Sequence, residues 1–292
     1  MIPILGKNLG IAAGRLLFLS VAIFLILRSA GAHLVSGLSF PEFLLASFSG
    51  RLANDPAQTG LPPLRPALLY STAALVWALV FSYGMGLPLG ILLGRYRAVW
   101  IQVLGHATIS VAMAIPAFWI AYAVLYSSIT DWRIFIGGAP AMAEAGWLRE
   151  LMSKSLLLGV PLSLSGMAIL ARQISQTLIR AFPEKTLLFA RSHGLMPRAI
   201  FDLVIGSLIW RPLLRSFPHL CSLFLSALIV VETAFFVPGF GYSIYKAAKE
   251  SDLQSLGVLG LWVTAALVIA NFVVDVLIEC IDAEHPPSPD AE

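Results

Sequence analysis

The run Leu79-Val-Phe-Ser-Tyr-Gly-Met-Gly-Leu-Pro-Leu-Gly-Ile-Leu-Leu-Gly94 closes an apolar segment that begins at Ala67. A helix that crosses a bilayer needs about 20 mostly apolar residues. The segment 67–94 exceeds that length, which leaves room for tilt or for helix beyond the lipid. Five other segments fit the same description, at roughly 9–28, 99–127, 155–171, 214–237 and 255–281. The segment 155–171 is short and has Pro161 inside it, so it is the least regular of the set. The chain therefore reads as all-α, an integral membrane bundle of six transmembrane helices. Composition agrees, since 12% of the 292 residues are charged and a soluble domain carries about 25%.

Within 67–94, Gly86, Gly90 and Gly94 recur every fourth residue with Pro88 between them. That spacing makes a stripe without side chains, along which a second helix can approach closely. Ile115-Pro-Ala-Phe-Trp119 puts Pro116 in the middle of the third span. A proline there frees a backbone carbonyl, which is tolerated where protein or water meets it again, so a kink is expected. Residues 29–66 form a polar, proline-rich connection with one short interfacial helix at 41–49. The first apolar segment reads as a retained helix, because its run is long and its flank only loosely resembles a cleavage site.

The segment Phe189-Ala-Arg-Ser-His-Gly-Leu-Met-Pro-Arg198 is basic and lies between apolar stretches. Gly194 suits the left-handed position just past a helix end, and Pro197 suits the first turn of the next helix. Two short helices meeting at a corner are expected over 184–200. Upstream, Ile174, Leu178 and Phe182 share one face of an amphipathic helix, with Arg172, Gln176 and Arg180 on another. With both termini inside, the cytoplasmic pieces hold Lys7, Arg15, Arg95, Arg97, Arg172, Arg180, Lys185, Arg191, Arg198, Arg211 and Arg215. The positive-inside rule then favours N-in, C-in with the 172–215 region cytoplasmic.

The fifth span ends in Glu232, and Pro238-Gly-Phe-Gly241 beyond it is a turn signal. A carboxylate at the end of an apolar helix must meet water or a partner. Residues 243–254 read as a loop, the last span carries Asn271 and Asp275, and residues 283–292 read as a disordered cytoplasmic tail. Cys221 and Cys280 read as inert thiols in or beside spans. The histidines at 33, 106, 193, 219 and 285 are scattered without metal-ligand spacing, so neither a metal nor another cofactor is expected. No nucleic-acid motif accompanies the basic loops.

These residues resemble the inner-membrane permeases of ATP-binding-cassette importers, in the dipeptide/oligopeptide/nickel branch. The cytoplasmic signature of that family is matched by Ala190-Arg-Ser-His-Gly194 followed by Pro212, eighteen positions on. Its outer turn is matched by Glu232, Phe235, Pro238, Gly239 and Gly241, and its later polar positions by Asp252, Asn271 and Asp275. The resemblance covers about 67–282, the permease transmembrane domain, and leaves 1–66 as a first helix with its outer loop. His193 stands where the family usually has a more basic residue. Asp282-Ala-Glu284 replaces the usual Asp-Pro-Arg ending.

The resemblance implies a multi-pass protein of the bacterial inner membrane that forms the pathway for peptides or similar small solutes. Metal chelates, nickel and opines are close alternatives within the class. It implies a second permease subunit, ATPase subunits and an extracytoplasmic solute-binding protein as partners, in a lipid bilayer. Ala190, Arg191, Ser192, His193, Gly194, Pro197 and Arg198 would couple to the ATPase. Glu232, Phe235, Pro238, Gly239 and Gly241 would form an outer gate. No Gly-x-x-x-x-Gly-Lys-Ser/Thr loop is present, so ATP hydrolysis is expected on a separate subunit.

Two other classes compete. A secondary transporter driven by an ion gradient would show internal repeats and mid-membrane ionisable groups. Here Asp275 is the only acid clearly within a span, and no repeat is visible. An intramembrane enzyme would need paired catalytic groups. His219 near Ser222 and Ser226 is the only such pairing, without an oxyanion-hole signature.

Overall fold

The structure, a computed structural model, describes residues 2–29, 37–49, 61–96, 98–130, 147–181 and 197–284. The described residues form nine helices and no strand: α1 (Ile2–Ser29), α2 (Phe40–Phe48), α3 (Leu64–Arg95), α4 (Val99–Ala114), α5 (Ala117–Thr130), α6 (Trp147–Ala181), α7 (Pro197–Ala234), α8 (Phe240–Lys249) and α9 (Leu253–Glu284). Five of these are long and apolar enough to span a membrane, and the bent pair α4–α5 makes a sixth crossing if taken as one. The chain divides into two compact units, residues 1–72 with 221–292, and residues 73–220.

In the first unit α1 runs antiparallel to α9. Leu27 near the end of α1 meets Gly257 near the start of α9, while Asn8 and Arg15 share a cavity with Phe272 and Asp275 near its end. Phe24, Leu27, Phe43 and Leu261 form the apolar contact, with α2 folded over it. The ring of Phe24 lies 5.6 Å from Phe40 and 5.4 Å from Phe43. The indole N–H of Trp262 donates to the Ser47 carbonyl at 3.3 Å. α2 starts where Ser39 donates its backbone N–H to the Glu42 carboxylate at 2.8 Å, the reciprocal half of a capping box. Those Ser39 hydrogen bonds hold the Glu42 carboxyl below its usual range. α8 packs against the start of α3 and the side of α9 through Leu61, Leu64, Phe240, Ala247 and Leu259.

The second unit is built around α6. A Cβ at Gly86 would fall 2.8 Å from the Met167 carbonyl, and one at Gly90 2.8 Å from that of Ala171. One at Gly94 would fall 2.8 Å from Leu178. In return, a Cβ at Gly159 of α6 would sit 2.7 Å from Trp77 of α3. The two helices therefore touch backbone to backbone. Polar ties complete the unit. Ser82 donates to the Ser163 carbonyl at 3.1 Å, Tyr83 to the Leu213 carbonyl at 3.0 Å, and Gln173 to that of Pro212 at 3.3 Å.

Several expectations need correction. The short span at 155–171 is part of the 35-residue α6, which carries Pro161 within it. The amphipathic stretch from Arg172 is helical as expected through Ala181, continuing α6 with Ile174 and Leu178 fully buried and Arg172 and Arg180 exposed. Residues 240–249 are helical, where a loop was expected from 243. Phe240, Ser243 and Ala247 fall on one buried face at helical spacing. Pro116 ends helix outright, because α4 and α5 meet at 82° across Ile115–Pro116. A proline has no N–H to donate and biases the residue before it towards extended backbone. Ile115 is extended accordingly, with ψ of 117°.

Candidate functional site

The most constrained polar arrangement among the described residues is the turn between α7 and α8. α7 closes by donating the Val237 N–H to the Glu232 carbonyl at 3.0 Å and the Phe236 N–H to that of Thr233 at 3.3 Å. This pair of bonds is a Schellman closure, whose left-handed residue is usually glycine. Here that residue is Phe236, with φ of +53°. Pro238 then leads to Gly239, the residue before α8.

Glu232 is wholly buried beneath this turn. One carboxylate oxygen accepts from the Ser71 hydroxyl at 2.5 Å, and the other from the Tyr242 N–H at 2.8 Å. The Ser71 oxygen in turn accepts the Phe240 N–H at 2.7 Å. The carboxylate thus takes up N–H groups at the N-terminus of α8, where the helix dipole also favours negative charge. A buried carboxylate is tolerable only when it is hydrogen-bonded in this way. The glycines have steric reasons to be there. A Cβ at Gly239 would land on the Glu232 carboxylate, and one at Gly241 would lie 2.8 Å from the Ile229 backbone.

The arrangement ties α3, α7 and α8 to one carboxylate. It fixes the shape of the turn through the bonds to Ser71 and to the Tyr242 N–H. Glu232, Pro238, Gly239 and Gly241 were legible from the sequence as a turn. Ser71 was not, because a serine within an apolar helix commonly bonds its own backbone and carries no signal of a distant partner.

The residues expected to couple to an ATPase divide differently. Ala190, Arg191, Ser192, His193 and Gly194 lie outside the described residues. Pro197 opens α7 and Arg198 follows it. The second arm of the expected corner is no short helix, since α7 continues for 38 residues to Ala234 through Pro212 and Pro218. Among the described residues, no three His, Cys, Asp or Glu side chains gather as metal ligands. Cys221 and Cys280 are free thiols, each half-buried.

Residues 86–284 match the family of binding-protein-dependent transport system inner membrane components. The chain belongs to this family. It is 23% identical over 234 residues to a Brucella suis protein provisionally named a peptide transport system permease, covering 79% of this chain and 72% of that one. It is 23% identical over 284 residues to DdpB of Escherichia coli, named a probable D,D-dipeptide transport system permease, covering 84% and 78%. It is 25% identical over 211 residues to NikB of Staphylococcus aureus, a nickel import system permease, covering 71% and 59%. The protein is thus the multi-pass inner-membrane permease of an ATP-binding-cassette importer in the peptide and nickel branch. As a permease subunit it is not itself catalytic, and the relatives favour the importer class over an ion-gradient transporter.

Proposed function

We propose that the permease forms the membrane pathway for peptides or similar small solutes, with ATP hydrolysed on separate subunits. The observation that carries this is the match over 86–284 to a family of binding-protein-dependent systems, with relatives named for peptide transport. NikB keeps nickel within the class of solutes to be tested. An extracytoplasmic binding protein delivers the solute, and a second, related permease completes the pathway. N-in, C-in orientation puts 184–200 on the cytoplasmic side, as the basic residues favour.

In this reading an ATPase groove receives the 184–200 segment around Ala190–Gly194, and its closure moves the spans as rigid bodies. α7 is suited to transmit that motion, because one continuous helix runs from Pro197 to Glu232. The Glu232 turn is the outer gate in the same scheme, and its tied geometry supports a part that moves as a unit. Purification of the tagged permease in mild detergent tests the reading. Co-purification of an ATPase and a second permease, with hydrolysis stimulated by a peptide-loaded binding protein, is expected. A stable homo-oligomer without an ATPase overturns it.

A further inference from the structure

The antiparallel pair α1–α9 borders a partly open cavity of about 70 Å³ lined by Asn8, Ile11, Ala12, Arg15, Phe272 and Asp275, among others. Water needs roughly 10–15 Å³ of such space per molecule, so the cavity takes a group several times larger. Three of its walls are polar and of different kinds. Asn8 presents a buried amide N–H with no hydrogen-bond partner. Arg15 supplies a cation and Asp275 an anion, both exposed where they line the cavity. Both charged residues lie within membrane-spanning stretches, Asn8–Ser29 and Leu253–Ile281. Ionisable groups in such stretches are rare and need a partner.

Depth narrows the choice of partner. Arg15 is seven residues inside the start of its span, and Asp275 six inside the end of its own. At 1.5 Å per residue that is about 10 Å from the helix ends. The 29-residue span of α9 is about 43 Å long, enough to cross the headgroup layers as well as the ~30 Å of hydrocarbon. Asp275 therefore lies near the boundary where lipid headgroups begin, and Arg15 can extend its guanidinium towards the same level. Beside it Leu9, Leu17 and Phe18 of α1 are apolar and exposed, as suits a helix face turned to lipid.

We propose that this cavity binds the headgroup of a zwitterionic phospholipid bearing a primary ammonium. The phosphate meets Arg15 and the Asn8 amide, and the ammonium donates to Asp275. A purely anionic headgroup would satisfy Arg15 and leave Asp275 facing a like charge. A quaternary ammonium has no N–H to donate to the carboxylate. Guanidinium and phosphate, and ammonium and carboxylate, are charge-assisted pairs of the stronger kind. The site would hold α1, which lies outside the family match, against α9.

Native mass spectrometry of the full chain, purified with whatever subunits accompany it, tests this with added lipids. Phosphatidylethanolamine adducts are expected to persist at least tenfold more than those of phosphatidylglycerol or phosphatidylcholine. Asp275→Asn and Arg15→Gln are each expected to abolish that preference, and Asp275→Glu and Arg15→Lys to keep part of it. Equal retention of all three lipids by the wild type overturns the proposal, even if the variants fail to fold. So does an ethanolamine preference that survives both Asp275→Asn and Arg15→Gln.

Discussion

At the scale of single residues, the turn after α7 shows how one buried carboxylate can dictate its neighbours. Glu232 accepts from Ser71 and from the Tyr242 N–H. Gln in its place keeps the shape but replaces one acceptor with a donor. The amide NH2 then faces either the Ser71 oxygen or the Tyr242 N–H, and the donor left without its carboxylate acceptor costs about 1–3 kcal/mol. Glu232→Gln and Ser71→Ala are therefore expected to lower the melting temperature in detergent by less together than the sum of their separate effects. Strictly additive losses in a double-mutant cycle would show that the two side chains do not interact. Gly239→Ala should destabilise at least as much as either, because its methyl displaces the carboxylate itself.

At the scale of helices, the relation between apolarity and burial explains why α6 was the hardest span to read. The most apolar window of α1 has a mean hydropathy of 2.3 and is 11% buried in the protein. That of α6 has a mean hydropathy of 1.6 and is 50% buried. A helix wrapped by other helices faces less lipid, so it can carry Ser155, Ser163 and Ser175 where a lipid-facing helix carries leucine. The glycine stripe of α3 belongs to the same contact. Gly86, Gly90 and Gly94 give α6 its close approach, and dispersion and packing drive helix association where no water is left to expel. Gly90→Val is expected to cost about 1–3 kcal/mol through overpacking. Val80→Ala, on an exposed position of the same helix, serves as the control. Equal thermal stability of Gly90→Val and wild type in detergent would contradict the packing.

At the scale of the whole molecule, orientation in the membrane follows from charge placement, and it is testable. A cysteine at Ser192 is expected to react with a membrane-impermeant maleimide only when the cytoplasmic face is opened, the signal being read above a background variant lacking Cys221 and Cys280. Labelling of intact cells, with the outer membrane made permeable, would invert the topology. The same experiment reports on coupling. Protection of that cysteine when ATPase subunits are co-expressed is the result expected if the 184–200 segment docks against them.

Much of this was legible in the sequence because the bilayer simplifies the problem. Backbone groups in lipid must be satisfied within a helix, so apolar length alone finds α1, α3, α7 and α9. Turn chemistry found Pro238–Gly241, and residue types at fixed spacing indicated the family. Tertiary structure decided what depends on a distant partner: that Glu232 meets Ser71, 161 residues away along the chain, and that α6 is one long inner helix. It also decided that 240–249 folds as a helix, since that segment gains its helical form by laying Phe240 and Ala247 against Leu61, Leu64 and Leu259. Local pattern records what a residue tolerates, while the choice among tolerated states comes from the surfaces brought against it.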